Sequence, residues 1–358
     1  MTDDARGPLL TVAIPAYNRP EELGDLLDSI LRESFTDYEL LVVEDRSPRR
    51  DEIAEVVRAR AAAHPERSVR LELNEKNRGY DGNIRRCLEL ARGEHTFFMG
   101  DDDLLKPGAL TKIASALRAH PRIGVIIRSY EHVDHDTLEQ TEVFRYFAED
   151  RLFPAGLDTI CTLFRRSVSI AGFTVHTESA RRVATDRFDG TLLYQLYLSG
   201  RVLAERDGFF IAEVLTSMRK DTRQRHFFGS SDAEKGLFAP GALTPQHSLN
   251  FMRGMVRIAK VVEEETGLAV YDGIVKDIGH YSYPFLRLHA RGRGRLTFAR
   301  YVRDLARMGF GTSPLFWVYS AALMAAPPSV LDRGIAGLKA VLPATPRFGR
   351  LYAGEPVR

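Results

Sequence analysis

The chain has 358 residues, 44% of them hydrophobic and 27% charged, which is typical of a soluble globular protein with one large domain or two ordinary ones. Its formal net charge of +2 gives no reason to expect a nucleic-acid partner. Only two cysteines occur, Cys87 and Cys161, which excludes a disulfide framework and a cysteine-rich metal site and favours a reducing cytoplasm.

The first ten residues, MTDDARGPLL, lack the basic flank and apolar core of a signal peptide. No window of about eighteen residues is continuously apolar. We therefore expect neither a secretion signal nor a membrane-spanning helix, and we expect a cytoplasmic location.

Apolar runs and helical periodicity alternate along the first 127 residues. Short apolar runs predict strands, and apolar residues spaced three and four apart predict helices. The predicted strands are 11–14, 40–43, 69–73, 96–99 and 124–127, and the predicted helices begin at Pro20, near Asp51, at Ile84 and at Pro107.

The first four strand starts recur at the length of one βα unit. This spacing predicts an α/β fold with a Rossmann-like, mostly parallel sheet and helices on both faces. Ligands bind such sheets beyond the carboxyl ends of the strands. The sequence has no G-x-G-x-x-G after the first strand and no G-x-x-x-x-G-K-[ST], which argues against a dinucleotide site and a P-loop.

Carboxylates follow the second and fourth strands. Adjacent Asp101, Asp102 and Asp103 suit Mg²⁺ or Mn²⁺, which bind one or two carboxylates together with substrate phosphates. The alternative is a solvated acidic turn before the next helix. Asp45, after Glu44, has the chemistry to accept the N–H of a nucleobase, and its alternative is a helix cap or turn.

Four segments together resemble the family 2 glycosyltransferases of the GT-A fold. They are residues 12–19 (VAIPAYNR), 38–47 (YELLVVEDRS), 77–83 (NRGYDGN) and 91–104 (ARGEHTFFMGDDDL). The match covers about the first 125 residues and is specific because the four occur in order at the predicted strand ends. One departure is Glu44, where the family usually has Asp.

The resemblance implies a nucleotide-sugar site. Asp45 would hold the base, Asp102 would lie near the ribose, and Asp103 would bind the metal. The full set of nucleotide-binding residues that it implies is Pro15, Ala16, Tyr17, Asn18, Asp45, Arg78, Asp101 and Asp102.

The implied function is a metal-dependent, inverting transfer of a hexosyl or deoxyhexosyl group from a nucleotide diphosphate sugar to an acceptor hydroxyl, in bacterial-type glycan or glycoconjugate synthesis. The cofactor would be Mn²⁺ or Mg²⁺, which neutralises the diphosphate leaving group. Two alternatives stay open: a nucleotidyltransferase that makes sugar nucleotides, and a non-catalytic nucleotide-sugar-binding protein on the same fold.

The general base should come from residues 184–200 (ATDRFDGTLLYQLYLSG), where the family has an Asp before a helix. We prefer Asp186, because Thr185-Asp186 lies where the family has a Glu-Asp pair, although Thr185 replaces the Glu. Asp189 is the alternative, since it matches better by its distance to Gly200. Either residue has a structural alternative as a helix N-cap.

Residues 217–226 contain two further candidates. By resemblance, His226 would approach the metal and Arg219 the diphosphate, whereas the alternative is a basic surface loop. The helical periodicity after His247 predicts a C-terminal helical extension. The expected boundaries are 1–125 for the nucleotide half, 126–235 for the acceptor half and 236–358 for the extension.

The last 78 residues are strongly basic. Residues 281–358 contain twelve Lys and Arg against three Asp and Glu. The apolar stretch 315–326 is too short to span a bilayer but suits an interfacial helix. We hypothesise peripheral contact with the inner face of the cell membrane. The alternative is a helical subdomain that packs on the core or in a homodimer. The other expected partners are a sugar nucleotide and a glycan, lipid-linked or small-molecule acceptor.

Overall fold

The computed structural model of the chain describes residues 7–220, 226–241, 244–290 and 294–341, with side chains described up to residue 334. Within these ranges, ten strands form one sheet. They are β1 (Leu10–Ala16), β2 (Tyr38–Glu44), β3 (Ser68–Leu73), β4 (His95–Phe98), β5 (Leu104–Leu105), β6 (Ile123–Asp134), β7 (Gln140–Phe144), β8 (Arg151–Phe153), β9 (Thr174–His176) and β10 (Asp207–Lys220).

The same ranges contain thirteen α-helices, which flank and extend the sheet. They are α1 (Pro20–Leu31), α2 (Arg50–Ala63), α3 (Gly79–Leu90), α4 (Ala109–Ala119), α5 (Leu157–Leu163), α6 (Thr177–Arg182), α7 (Tyr194–Val202), α8 (Pro245–Thr266), α9 (Tyr271–His280), α10 (Tyr283–Ala290), α11 (Arg295–Arg307), α12 (Pro314–Ala325) and α13 (Pro328–Val341).

The N-terminal half of the sheet is parallel. The order β3-β2-β1-β4 places the first strand in the middle, and all three pairings are parallel. The register aligns Ala16 with Glu44 and Glu44 with Leu73. The residues that follow these strands therefore meet at one edge of the sheet, as the sequence predicts.

The C-terminal half of the sheet is mixed. The short strand β9 lies antiparallel between β4 and β6, and β6 is parallel to β10. The sequence predicted only residues 124–127 here, because β10 is interrupted by register shifts around Val214 and β7 is mostly exposed. Such strands lack the simple alternation that marks a strand in sequence.

Two apolar cores cover opposite faces of the sheet. Alternate strand residues divide between them: Leu40 joins the core under α1, α2 and α4, whereas Leu41 joins the core under α3, α5 and α7. The second core continues into the C-terminal helices through Ile258 and Phe310. The predicted fold class, including the helical extension, is confirmed. The domain boundaries remain a prediction, and β6 crosses the first of them.

The extension ends in an apolar helix with an exposed face. On α12, Trp317 and Val318 expose 50% and 58% of their surface. Among the described helices, none alone is long and apolar enough to cross a membrane. Pro314–Ala325 and Pro328–Gly334 meet that requirement only when taken together, and they are bent by 119°.

Candidate active site

Asp45 follows β2 and is buried. Its Oδ1 accepts hydrogen bonds from Asn74 Nδ2 at 2.8 Å and from the Arg78 backbone N–H at 2.9 Å. Burial raises the pKa of Asp45 to about 6, although both hydrogen bonds favour the carboxylate. Glu44 instead accepts the backbone N–H groups of Arg46 and Ser47, so the turn-forming role belongs to Glu44 and not to Asp45.

Arg19 connects the end of β1 to the aspartate triplet. Asp101 accepts the Tyr17 backbone N–H at 2.7 Å and Arg19 Nη1 at 2.8 Å. Asp102 lies 3.4 Å from Arg19 Nη2. Burial alone would lower the pKa of Arg19, but the three aspartates outweigh it and raise the pKa. The triplet is therefore a partly neutralised cluster, with Asp101 and Asp103 buried, and not a solvated turn.

Asn18 occupies a left-handed backbone conformation with φ of 63° next to this cluster. Its Oδ1 is buried and has no hydrogen-bond partner among the described residues. Pro15 and Ala16 lie at the end of β1 itself. The four predicted pocket residues at the end of β1 thus reach the same edge of the sheet as Asp45.

Asp103 is the least compensated of the three aspartates. Its side chain is buried, and no described residue donates a hydrogen bond to its carboxylate. Burial and then the charge of Asp102 raise the pKa of Asp103 well above its usual range, and Arg128 acts in the opposite direction. A buried carboxylate without a donor suits a hard divalent cation, so Asp103, with the half-exposed Asp102, fits the implied metal.

Arg128 lies on β6 with only 1% of its surface exposed. Its Nη2 donates to Ser169 Oγ at 3.0 Å and its Nε to Thr216 Oγ1 at 3.3 Å. Burial lowers its pKa. Arg128 therefore supplies a second fixed positive charge that acts on Asp103, in addition to the charge of Arg19.

Residues 226–241, here called the cover segment, fold over the nucleotide half. The Phe227 ring meets the Tyr17 ring at 5.8 Å and lies 5.1 Å from the Arg19 guanidinium. The buried Glu234 accepts the Tyr80 backbone N–H and the Gly229 backbone N–H, each at 2.8 Å. The cover segment is thus fixed to the start of α3 by a carboxylate.

The cover segment includes His226, whose ring stacks on Phe228 at 5.4 Å. In the described part of the chain, no three or more His, Cys, Asp and Glu side chains form a group able to hold a metal. The structure therefore does not join His226 and Asp103 into such a cluster, and metal binding by His226 remains a prediction.

Arg219 lies inside β10 and not after it. Its Nη2 donates to Asp25 of α1 at 2.5 Å. Phosphate binding by Arg219 remains a prediction. Residues 221–225 of the same basic stretch lie outside the described residues.

The two candidate bases lie in the loop 184–193, before α7. Asp189 forms a two-bond ion pair with Arg85, at 2.5 and 2.8 Å. Asp186 is exposed, and within the described ranges it has no ion pair. Neither caps α7, because the amides at its start bind Asp81. The structure places Asp189 nearer to α3 and leaves the choice of base open.

The sequence did not single out five of the residues that shape this site: Arg19, Asp81, Arg85, Arg128 and Glu234. Arg19 had a visible signal, since a basic residue at one strand end faces acidic residues at the neighbouring one. Each of the other four has a partner between 41 and 154 positions away in sequence, so no local pattern reveals these contacts.

Residues 11–171 match the family model described as Glycosyl transferase family 2. This part of the chain is a family 2 glycosyltransferase domain. The chain spans only 13–37% of the length of the first curated relatives it matches.

Three similar proteins carry informative names. The GalNAc(5)-diNAcBac-PP-undecaprenol beta-1,3-glucosyltransferase of Campylobacter jejuni is 34% identical over 106 residues, which are 30% of this chain and 33% of that protein. S. aureus TarS 1-349 in complex with UDP-GlcNAc has a TM-score of 0.58 at 16% identity and covers 92% of both chains. The mannosyltransferase PcManGT from Pyrobaculum calidifontis, in complex with GDP-Man and Mn²⁺, has a TM-score of 0.51 at 15% identity. The match covers 95% of this chain and 82% of that chain. At these identities the two structures support the GT-A fold alone.

Proposed function

We propose that this chain transfers a sugar from a nucleotide diphosphate sugar to an acceptor hydroxyl, with inversion at the anomeric carbon and with Mn²⁺ or Mg²⁺ as cofactor. The observation that carries the proposal is the buried Asp103 carboxylate, which has no hydrogen-bond donor among the described residues and lies at the same sheet edge as Asp45. The site thus combines an acceptor for a nucleobase with an anion for a metal.

Each of the aspartates at the strand ends of the nucleotide half has a distinct part in donor binding. Asp45, aligned by Asn74 and Arg78, accepts an N–H of the base. Asp101 holds the Tyr17 backbone and the Arg19 guanidinium in place. Asp103 and Asp102 would hold the divalent cation. When bound, that cation neutralises the charge that develops on the departing diphosphate.

The acceptor is activated from the loop 184–193. A carboxylate there, Asp186 or Asp189, removes the proton from the attacking hydroxyl. Attack on the face opposite the diphosphate gives inversion. Of the three similar proteins, two carry nucleotide sugars in their descriptions, UDP-GlcNAc and GDP-Man. We propose the same donor class here.

The experiment is a panel of sugar nucleotides incubated with the protein and Mn²⁺, with release of the nucleoside diphosphate as the readout and chelator as the control. Donor consumption that stops with chelator supports the proposal. A nucleotidyltransferase would instead consume sugar phosphate and nucleoside triphosphate with release of pyrophosphate. A binding protein would shift in thermal stability with nucleotide but release no product.

The C-terminal region is proposed as a membrane contact for a lipid-linked acceptor, such as the one named in the description of the Campylobacter relative. Trp317 and Val318 are exposed on α12, next to an open cleft of about 560 Å³ that Arg303 and Arg307 also line. Arg287 contributes less to the proposed membrane contact, because its guanidinium is paired with Asp332. Two further arginines of the basic region, Arg291 and Arg293, lie outside the described residues.

A further inference from the structure

Asp81 caps a helix that lies more than a hundred residues away in sequence. It is 1% exposed, and its carboxylate accepts the backbone N–H groups of Leu192 at 2.8 Å, Leu193 at 2.9 Å and Tyr194 at 2.8 Å. Helix α7 has Leu193 at its N-cap, which has no side chain able to accept these bonds. Asp81 therefore fixes the C-terminal end of the loop 184–193.

Arg85, one turn later on the same face of α3, fixes the other part of this loop. Besides its two bonds to the Asp189 carboxylate, Arg85 Nη1 donates to the Thr185 carbonyl oxygen at 3.2 Å. The Thr185 backbone N–H donates to the Tyr194 hydroxyl at 3.1 Å. Both ends of the loop are thus held by side chains.

Helix α3 is itself fixed to Asp45, at the end of β2, and to the cover segment. The Arg78 backbone N–H, immediately before α3, donates to Asp45, and the Tyr80 backbone N–H donates to Glu234 of the cover segment. A single rigid element therefore connects the residue proposed to bind the base, the cover segment and the loop with both candidate general bases.

We propose that Asp81 and Arg85 are positioning residues that hold the general base of the loop 184–193 at a fixed place relative to the bound donor. The proposal rests on the proposed function. Without Arg85, the loop keeps its cap on α7 but loses the bonds at Asp189 and Thr185. The base then samples unproductive positions, while the contacts of the donor with Asp45 and the aspartate triplet stay in place. A displacement of about 1 Å is enough to lower turnover roughly a hundredfold.

The decisive variants are Arg85→Met and Arg85→Lys, with Arg86→Met as the matched control. Arg86 is the next residue of α3 and, among the residues that the structure describes, pairs only with Glu89, at 3.0 Å, so its loss should leave the loop unchanged. Asp81→Asn is a milder second variant, because its amide oxygen still accepts while its amide nitrogen opposes the Leu192 N–H. The measurements are kcat and the donor KM, together with hydrogen exchange of the amides of residues 185–193.

We expect Arg85→Met to lower kcat about tenfold to a hundredfold with the donor KM changed less than threefold, and to speed amide exchange in the loop. Arg85→Lys should recover part of kcat, and Arg86→Met should match the native protein. An active native protein with full kcat in Arg85→Met overturns this inference alone. An inactive native protein overturns the proposed function, and unchanged exchange in Arg85→Met then also refutes the positioning contact.

Discussion

Arg19 and Asp101 form an ion pair of 2.8 Å that joins the end of the first strand to the end of the fourth, 82 residues later in the chain. The Asp101 side chain is only 6% exposed. Three adjacent carboxylates are tolerated here because Arg19 contacts two of them and the buried Arg128 adds a second positive charge that acts on Asp103. The proposed cation would complete this neutralisation and is not its only source.

Arg19→Ala should lower the free energy of unfolding by about 3 kcal/mol, because it leaves a buried carboxylate without its partner. Chemical denaturation measures the loss. Arg49→Ala is the control, since Arg49 pairs with Glu21 and Glu52 near the surface and its loss should cost less than about 1 kcal/mol. Equal losses in the two variants would show that the Arg19 pair contributes no more than a surface pair.

Asp103→Ala should abolish transfer and the Mn²⁺-dependent part of nucleotide binding while the protein stays folded. Removal of one of three crowded carboxylates relieves repulsion, so the apparent stability without ligand should stay the same or rise. Thermal shifts with nucleoside diphosphate, with and without Mn²⁺, measure the effect. Glu55→Ala on the exposed face of α2 is the control. A variant that retains activity, or activity indifferent to chelator, would refute the metal site.

Nucleotide binding should weaken as the pH falls through about 6. Burial raises the pKa of Asp45 to about 6, and the ionised carboxylate accepts the N–H of a base more strongly than the protonated acid does. Below this pH each unit should raise Kd up to about tenfold, and above it Kd should be level. Calorimetric titration with a nucleoside diphosphate measures the profile. Asp45→Asn should bind weakly at every pH, so a native profile that the variant reproduces would show that Asp45 is not the titrating group.

The sequence placed Asp45 and the aspartate triplet correctly at the carboxyl ends of their strands. Parallel strands with a short βα repeat bring these ends to one edge of the sheet. The pairing across the second half of the sheet was not predictable in the same way. The insertion of β9 between β4 and β6 depends on contacts between segments about 80 and 50 residues apart. Arg219, which the sequence placed at the diphosphate or in a basic surface loop, consequently lies inside a strand, β10, that the sequence did not predict.

The start of α3 was also misplaced, at Ile84 instead of Gly79. The segment 79–83 has two glycines, which disfavour a helix by about 1 kcal/mol each. Tertiary hydrogen bonds outweigh this preference: Asn83 donates to the Val43 carbonyl oxygen at 3.0 Å, and Asp81 binds the start of α7. Local propensity cannot reveal such bonds, and the residues that make them connect the parts of the site.

Asp186→Asn should lose turnover and still bind the donor, because an amide keeps the shape of the side chain and cannot accept a proton at neutral pH. Single-turnover rates and nucleotide affinity are the measurements. If Asp189→Asn is the inactive variant instead, the base is Asp189. Asp189→Asn both weakens the ion pair with Arg85 and removes a carboxylate. Arg85→Met weakens the same ion pair but keeps the carboxylate, so comparison of the two variants separates these effects.

The intact protein should sediment with anionic liposomes at low salt and less at high salt, because the arginines of the C-terminal region each contribute up to about 1 kcal/mol near an anionic surface. The double change Trp317→Ala and Val318→Ala should weaken sedimentation several-fold, since these side chains expose half or more of their surface on α12. Val143→Ala, an exposed apolar residue of β7, is the control. If the native protein stays in the supernatant at low salt, the apolar face of α12 is not a membrane contact, and a packed subdomain or a homodimer interface explains it instead.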